Sequence, residues 1–116
     1  MYEIKKTFEI AAAHKLSLDY DSKCKNLHGH NWIITITLKS EMLDKNGMIM
    51  DFGHIKTKII NELDHAILND ILDFNPTAEN IAKYIYDNFS PLASRVDVTE
   101  SESNMASYYE TEKYNA

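Results

Sequence analysis

The segment CKNLHGHNW, residues 24–32, concentrates side chains that can do acid–base or metal chemistry. It holds the only cysteine of the chain, Cys24, and two of the five histidines, His28 and His30. Cysteine and histidine change protonation near neutral pH, and both bind zinc. The spacing therefore indicates either a metal site or a reaction centre.

The two histidines of this segment favour a metal site. In a strand, alternate side chains point the same way, so His28 and His30 would share a face. Two ligands hold zinc weakly, and His14 is the natural third candidate if the first two strands pair. Three histidines without a second cysteine predict an open zinc site, because structural sites take four protein ligands. The alternative is a set of polar strand residues that bind no metal.

Cys24 has two possible roles. It lies between Lys23 and Lys25, and positive charge or a metal near a thiol raises the fraction of thiolate that can act as a base or nucleophile. The alternative is a small buried apolar residue, which is common for a lone free cysteine. The spacing alone does not choose between them.

The motif LDHAILND contributes a carboxylate beside an imidazole, Asp64 and His65. Such a pair can fix the histidine tautomer and support proton transfer. Neighbouring residues of a helix point about 100° apart, so contact between them requires the chain to leave the helix there. The alternative is a helix cap followed by a solvent-facing histidine.

Glu100 alternates with Val96 and Val98 in VDVTES, which predicts an inward-facing acid. A buried acid needs a partner. A planar, guanidine-like ligand edge would suit it, because a carboxylate can accept two parallel hydrogen bonds from such an edge. The alternative is a shifted register with Glu100 in water.

Composition limits the classes of protein that remain. The chain has 116 residues, which we interpret as one domain over residues 1–116, with 44% hydrophobic and 26% charged residues. No apolar run reaches the roughly 18 residues of a membrane span, and the N-terminus lacks the apolar block of a secretion signal. Because Cys24 has no internal partner, a cytoplasmic location is expected. The net charge of −6 and the scattered lysines argue against nucleic acid as a partner.

Several elements must position these side chains. Apolar alternation and β-branched residues predict strands over residues 2–16 and 28–39, and the DKNG segment predicts a turn. Asp51 caps a predicted helix that runs to about residue 63, and a second helix begins near Thr77. Two short strands, SRVDVTES and MASYYET, follow. The order ββααββ predicts an α+β fold: a four-stranded antiparallel sheet with two helices on one face and open strand edges that favour pairing between subunits.

Six motifs occur in an order that resembles one known family. They are AAAHKL, CKNLHGHNW, NGMIMDF, LDHAILN, NPTAEN and VTES. Together they resemble the 6-pyruvoyltetrahydropterin synthase and 6-carboxytetrahydropterin synthase family over about residues 8–110. The resemblance implies the tunnelling fold, in which subunits form trimeric barrels that stack as a homohexamer, a dimer of trimers, with active sites between chains.

The resemblance also implies a metal and a base. His14, His28 and His30 match the zinc ligands of the family. Cys24 matches its catalytic cysteine, which acts as a general base on the side chain of the substrate. Zinc is therefore the expected cofactor.

The remaining site residues follow from the same resemblance. Asp64 and His65 match the catalytic pair that relays protons with the cysteine, and that pair can serve the cysteine of a neighbouring chain. Glu100 matches the acid of the site that anchors the pterin ring. Thr77 and Glu79 match a segment near the pterin pocket.

The implied substrate is 7,8-dihydroneopterin triphosphate. The short chain resembles the compact enzymes that lose acetaldehyde and triphosphate to give 6-carboxy-5,6,7,8-tetrahydropterin for queuosine and other deazapurines. The alternative is 6-pyruvoyltetrahydropterin synthase, which keeps the three-carbon side chain. A folate branch has a glutamate near the position of the cysteine, and CKNLH has none. A zinc-binding scaffold without activity is the alternative from another class of protein.

Overall fold

The structure, a computed structural model, describes residues 1–111. Residues 112–116 of the expected domain lie outside the described residues. The elements are, in chain order, β1 (Tyr2–His14), β2 (His28–Ser40), α1 (Phe52–Leu63), β3 (Ala66–Ile67), α2 (Leu68–Ile71), α3 (Ala78–Phe89), β4 (Ala93–Ser101) and β5 (Asn104–Tyr108). A single 3₁₀ turn, Lys23–Lys25, lies between β1 and β2.

The sheet is mixed and five-stranded, in the order β3-β1-β2-β4-β5. Our prediction of four antiparallel strands was wrong because β3, two residues long, pairs in parallel with Ala12 and Ala13 of β1. A two-residue strand is too short to show alternation in a sequence. The prediction of two helices also missed α2, whose four residues cannot form a periodic apolar stripe.

Two strand ends differ from the prediction by more than one residue. β1 ends at His14 rather than at residue 16, because the N–H of Leu16 donates to the carbonyl of Cys24, 2.8 Å away, instead of continuing the pairing with β2. β5 ends at Tyr108, so the last three residues of the MASYYET segment lie beyond the strand. The first difference brings the Cys24 turn against the end of β1.

One hydrophobic core joins the sheet to both long helices. The core-facing row of β2 consists of Trp32, Ile34, Ile36 and Leu38, all 1% exposed or less. Apart from the buried Thr37, these even-numbered positions alternate with more exposed ones, as expected for a sheet buried on one face. The buried faces of α1 and α3 join the same core. The two long helices therefore pack on one face, as predicted.

Local capping and turn residues determine where several elements begin or end. The carboxylate of Asp51 accepts a hydrogen bond from the N–H of Gly53 at 2.7 Å and caps α1. The hydroxyl of Thr77 accepts one from the N–H of Asn80 at 3.1 Å and caps α3. Gly47 has a φ of 79°, which confirms the predicted turn.

Both sides of the sheet end in strands that have unpaired edges within residues 1–111. β3 covers only the end of β1, and β5 is the other outermost strand. Exposed edges carry free backbone donors and acceptors that can pair with another chain. Within the same part of the chain, none of the helices combines the length and the apolar character that crossing a membrane requires.

Candidate functional site

Three neighbouring strands carry the candidate metal ligands at one end of the sheet. On β1 the core-facing row ends at His14, which lies directly opposite His28 of β2. On β2 the row passes from the buried Trp32 to His30 and then His28. On β4 it ends at Glu100. The same alternation that buries the core therefore brings these polar side chains together.

These four residues, His14, His28, His30 and Glu100, form what we call the metal group. Each offers one ligand atom, and the four atoms all lie within 4.8 Å of one another. The Oε1 atom of Glu100 is 2.9 Å from Nε2 of His30 and 3.3 Å from Nε2 of His14. The group contains the right kinds of atom, at the right separations, to bind a metal ion.

Backbone carbonyls orient two of the imidazoles. Nδ1 of His14 lies 2.8 Å from the carbonyl of Pro76, and Nδ1 of His28 lies 2.7 Å from the carbonyl of Asn26. A carbonyl only accepts hydrogen bonds, so each Nδ1 carries the proton. Each Nε2 is then left with its lone pair for a metal, which is the usual way that a second contact fixes a histidine ligand.

The metal group fits a divalent metal such as zinc. Nε2 of His14 and Nε2 of His30 are both buried, and both face Oε1 of Glu100. Burial lowers the pKa of His30 below its ordinary value of 6.5, although the charge of Glu100 acts in the opposite direction. The neutral imidazole is the form that binds metal. Imidazole nitrogens and a carboxylate oxygen are ligands that zinc accepts.

Cys24 lies beside the metal group. The hydroxyl of Ser22 accepts a hydrogen bond from the N–H of Cys24 at 3.1 Å and holds the 3₁₀ turn. The half-buried Cys24 lines a cavity of about 310 Å³. We call it the Cys24 cavity; its lining is Lys23, Cys24, His28, His30, Glu100 and Asn104. The predicted base, Cys24, and two of the three predicted metal ligands, His28 and His30, thus face one space.

A second cavity, of about 480 Å³, adjoins the first along Glu100 and Asn104. It is lined by the start of α3, including the exposed Glu79, and by β5 and the turn before it. We call it the Glu79 cavity. The hydroxyl of Thr77 caps α3 and so positions the helix start that carries Glu79. The two cavities together can hold a ligand with a ring and a side chain.

The chain leaves α1 at the Asp64–His65 pair and brings the two side chains together. His65 has a φ of 58°, and its N–H donates to the carbonyl of Ala11 at 2.6 Å. The N–H of Ala11 in turn donates to Oδ1 of Asp64 at 2.9 Å. The other oxygen of Asp64 lies 3.0 Å from Nδ1 of His65. The contact between Asp64 and His65, which the sequence alone did not decide, is therefore present.

This pair lies away from Cys24 within one chain. His65 is 82% exposed and lines a shallow hollow of about 470 Å³, together with positions such as Ala13 and Asn31. Those odd-numbered positions face away from the core rows, so the hollow opens mainly on the opposite face of the sheet, although Ala12 and His30 also border it. Within the described residues, neither Asp64 nor His65 lines the Cys24 cavity. One chain therefore does not bring Cys24 and this pair together.

The contacts of Asp64 predict a dependence of stability on pH. The N–H of Ala11 lowers the pKa of the Asp64 carboxyl below its ordinary value of 3.8, and His65 adds to the effect. A carboxyl with a lowered native pKa stabilises the fold above its unfolded pKa, and this contribution disappears as the pH falls through the native value. We expect Asp64→Asn to reduce the acid-induced loss of stability, measured by urea unfolding between about pH 2 and pH 7.

The exposed Asp19 offers a matched control. Asp19→Asn makes the same chemical change in a loop and should keep the pH dependence of the unsubstituted protein. Identical pH profiles for Asp64→Asn and the unsubstituted protein would contradict the assigned role of Ala11.

Sequence reasoning missed two asparagines that hold the site together. Each pairs with both backbone groups of one residue after β1: Asn69 with Lys15, at 2.9 and 2.8 Å, and Asn75 with Ser17, at 2.9 and 3.1 Å. The intervening Leu16 pairs with Cys24. The asparagines therefore hold residues 15–17 in place. This segment directly follows His14 and pairs with the Cys24 turn. The motifs HAILND and FNPT contain them but give no sign of these long-range contacts.

We expect Asn75→Ala to destabilise the protein and loosen the site. Two backbone groups lose their partners, and each hydrogen bond contributes roughly 0.5–1.5 kcal/mol, so the free energy of unfolding should fall by about 1–3 kcal/mol. Metal affinity should fall as well, because Asn75 adjoins Pro76, whose carbonyl orients His14. Urea unfolding and zinc titration check both. Asn61→Ala, at an exposed position of α1, should lower neither, because alanine favours a helix more than asparagine does.

The architecture is shared with a solved pterin synthase structure. The structure of 6-pyruvoyl tetrahydropterin synthase from Caenorhabditis elegans superposes with a TM-score of 0.75 at 24% identity, over 94% of this chain and 95% of that one. This similarity places the chain in the same α+β fold class.

The sequence comparisons place the chain in a family. The sequence model of the 6-pyruvoyl tetrahydropterin synthase family matches residues 3–111, and the chain belongs to that family. The 6-carboxy-5,6,7,8-tetrahydropterin synthase of Synechocystis is 34% identical, over 94% of each chain. The enzyme of the same name from Bacillus subtilis is 35% identical, over 75% of this chain and 64% of that protein.

Proposed function

We propose that this chain is a zinc-dependent lyase that converts 7,8-dihydroneopterin triphosphate to 6-carboxy-5,6,7,8-tetrahydropterin, with loss of acetaldehyde and triphosphate. The observation that carries the proposal is that Cys24 lines one cavity with three of the four members of the metal group, His28, His30 and Glu100. Membership of the pterin synthase family and the names of the Synechocystis and Bacillus relatives support this choice of reaction.

Zinc and Cys24 have complementary roles in this proposal. A zinc ion held by His14, His28 and His30 would supply a Lewis acid that makes the substrate side chain more acidic. The thiolate of Cys24 removes a proton from a side-chain carbon as general base. A positioned base of this kind typically accelerates proton transfer by 10²- to 10⁴-fold.

The substrate ring and its phosphates need separate contacts. Glu100 anchors the ring by accepting hydrogen bonds from its guanidine-like edge, and Glu79, on the helix that Thr77 caps, forms part of the neighbouring wall. Holding the ring fixed places the side chain against Cys24, a positioning effect that lowers the barrier. Lys23 lines the Cys24 cavity and supplies positive charge for the triphosphate, which the net charge of −6 does not.

The complete site takes residues from more than one chain. Asp64 and His65 open on the opposite face of the sheet from Cys24, so we propose that they relay protons with the Cys24 of a neighbouring subunit. The open edges of β1 and β5 support pairing between subunits. A homohexamer built as a dimer of trimers satisfies both requirements.

The lone cysteine bears on where in the cell the reaction takes place. We propose a single synthase domain over residues 1–116 that acts in the cytoplasm, on the path to queuosine and other deazapurines. The lone cysteine suits a reducing compartment.

Release of triphosphate tests this function. Zinc-loaded protein should release triphosphate from 7,8-dihydroneopterin triphosphate, and protein stripped with a chelator should not until zinc is restored. If the protein binds zinc but releases no triphosphate, it is a metal-binding scaffold and the synthase assignment is wrong.

A further inference from the structure

Glu100 lies where the Cys24 cavity and the Glu79 cavity meet. A residue that only anchored a ring would need contact with the Glu79 cavity alone. Instead, Oε1 of Glu100 is within 3.3 Å of two buried histidine nitrogens, one on His14 and one on His30. This position of Glu100 indicates a role in the metal group as well as at the ring.

The chemistry of these atoms favours a shared cation. The carbonyls of Pro76 and Asn26 fix the tautomers of His14 and His28, so their Nε2 atoms carry lone pairs. The carboxylate of Glu100 also carries only lone pairs. Acceptors packed this closely repel one another unless a cation lies among them. A divalent metal satisfies all four groups at once.

The distance between Glu100 and His14 agrees with four-coordinate zinc. Zinc binds nitrogen and oxygen ligands at about 2.0–2.2 Å, so neighbouring ligands of a tetrahedral site lie about 3.3–3.5 Å apart. Oε1 of Glu100 is 3.3 Å from Nε2 of His14, within that range, and 2.9 Å from Nε2 of His30, somewhat closer. Glu100 is 23% exposed, so its side chain is not locked in the core.

We propose that Glu100 is the fourth metal ligand of the substrate-free protein and leaves the metal when a pterin ring enters the Glu79 cavity. The exchange rests on the proposed function, because a pterin supplies the ring. Four protein ligands hold the metal in a closed site, as in structural zinc sites, and the loss of one opens a position. Binding of the ring thus opens the metal to the substrate side chain.

Cobalt spectroscopy tests the exchange without turnover. With cobalt(II) in place of zinc, the visible absorption reports which ligands the metal has. We expect Glu100→Gln to change this spectrum in the absence of any pterin. Pterin that lacks a side chain should shift the spectrum of the unsubstituted protein toward that of Glu100→Gln. We also expect zinc to bind Glu100→Gln at least 10- to 100-fold more weakly, the loss typical of removing even an outer contact of a metal site.

Glu102→Gln provides the matched control. Glu102 lies two residues further on, exposed in the turn between β4 and β5, and its substitution removes the same charge. This variant should keep the cobalt spectrum and the zinc affinity of the unsubstituted protein. The spectrum decides the question, because a nearby charge can alter affinity without binding the metal.

Two results would overturn the proposal. One is a Glu100→Gln spectrum identical to that of the unsubstituted protein. The other, which needs no variant, is an unsubstituted spectrum that does not move when pterin is bound. Either result leaves the synthase assignment intact if triphosphate is still released. If the cobalt spectrum depends on Glu100 but no triphosphate is released, the synthase assignment is wrong and the assignment of Glu100 as a metal ligand stands.

Discussion

Cys24→Ala is expected to abolish turnover while the protein keeps its zinc. The substitution removes the general base from the Cys24 cavity but touches none of the three histidines of the metal group. Loss of a positioned base lowers the rate by about 10²- to 10⁴-fold. Half-buried Cys24 sits in a surface turn, so its truncation leaves the core unchanged. Steady-state kinetics and zinc analysis of the same preparation check both parts.

Cys24→Ser separates the chemistry of the thiol from its shape. Serine keeps the size and a hydroxyl but is not ionised near neutral pH, so this variant should be nearly as slow as Cys24→Ala. Turnover that survives in both variants would show that Cys24 is not the base. Loss of zinc from both would show that the cysteine belongs to the metal site.

His28→Ala is expected to weaken metal binding strongly. It removes one of three imidazole ligands, and the two imidazoles that remain hold zinc less tightly, even with Glu100 beside them. Removing even an outer contact of a metal site costs 10- to 100-fold in affinity, so loss of a direct ligand should cost at least about 100-fold. His28 is only half-buried, and the fold should survive its truncation. Zinc affinity, measured by competition with a chelator, should fall together with turnover.

His54→Ala is the control for this substitution. His54 is exposed on α1 and does not belong to the metal group. Its variant should bind zinc and turn over substrate like the unsubstituted protein. Equal zinc affinity for His28→Ala and the unsubstituted protein would mean that the metal lies elsewhere.

Alternation and helical periodicity predicted much of the fold and part of the site. The pattern of β2 placed His28 and His30 on one face, and the pattern of β4 placed Glu100 on the inward face. The caps at Asp51 and Thr77 were readable because capping is local. The identity of the metal and the roles of the individual residues are proposals that rest on family resemblance.

The features that the sequence did not predict depend on contacts between residues that are far apart in the sequence. β3 exists because Ala12 and Ala13 are available to pair with it. The two hydrogen bonds between Asn75 and Ser17 join positions that are 58 residues apart. The approach of Glu100 to His14 follows from the order of the strands, which a sequence pattern does not encode. These long-range contacts bring the polar residues together into one site.

Identification of the pterin product tests the central claim most directly. Zinc-loaded protein is incubated with 7,8-dihydroneopterin triphosphate, and mass spectrometry identifies the pterin while acetaldehyde is quantified in parallel. We predict 6-carboxy-5,6,7,8-tetrahydropterin with one acetaldehyde for each pterin formed. A 6-pyruvoyl product without acetaldehyde would contradict this assignment and make the protein a 6-pyruvoyltetrahydropterin synthase.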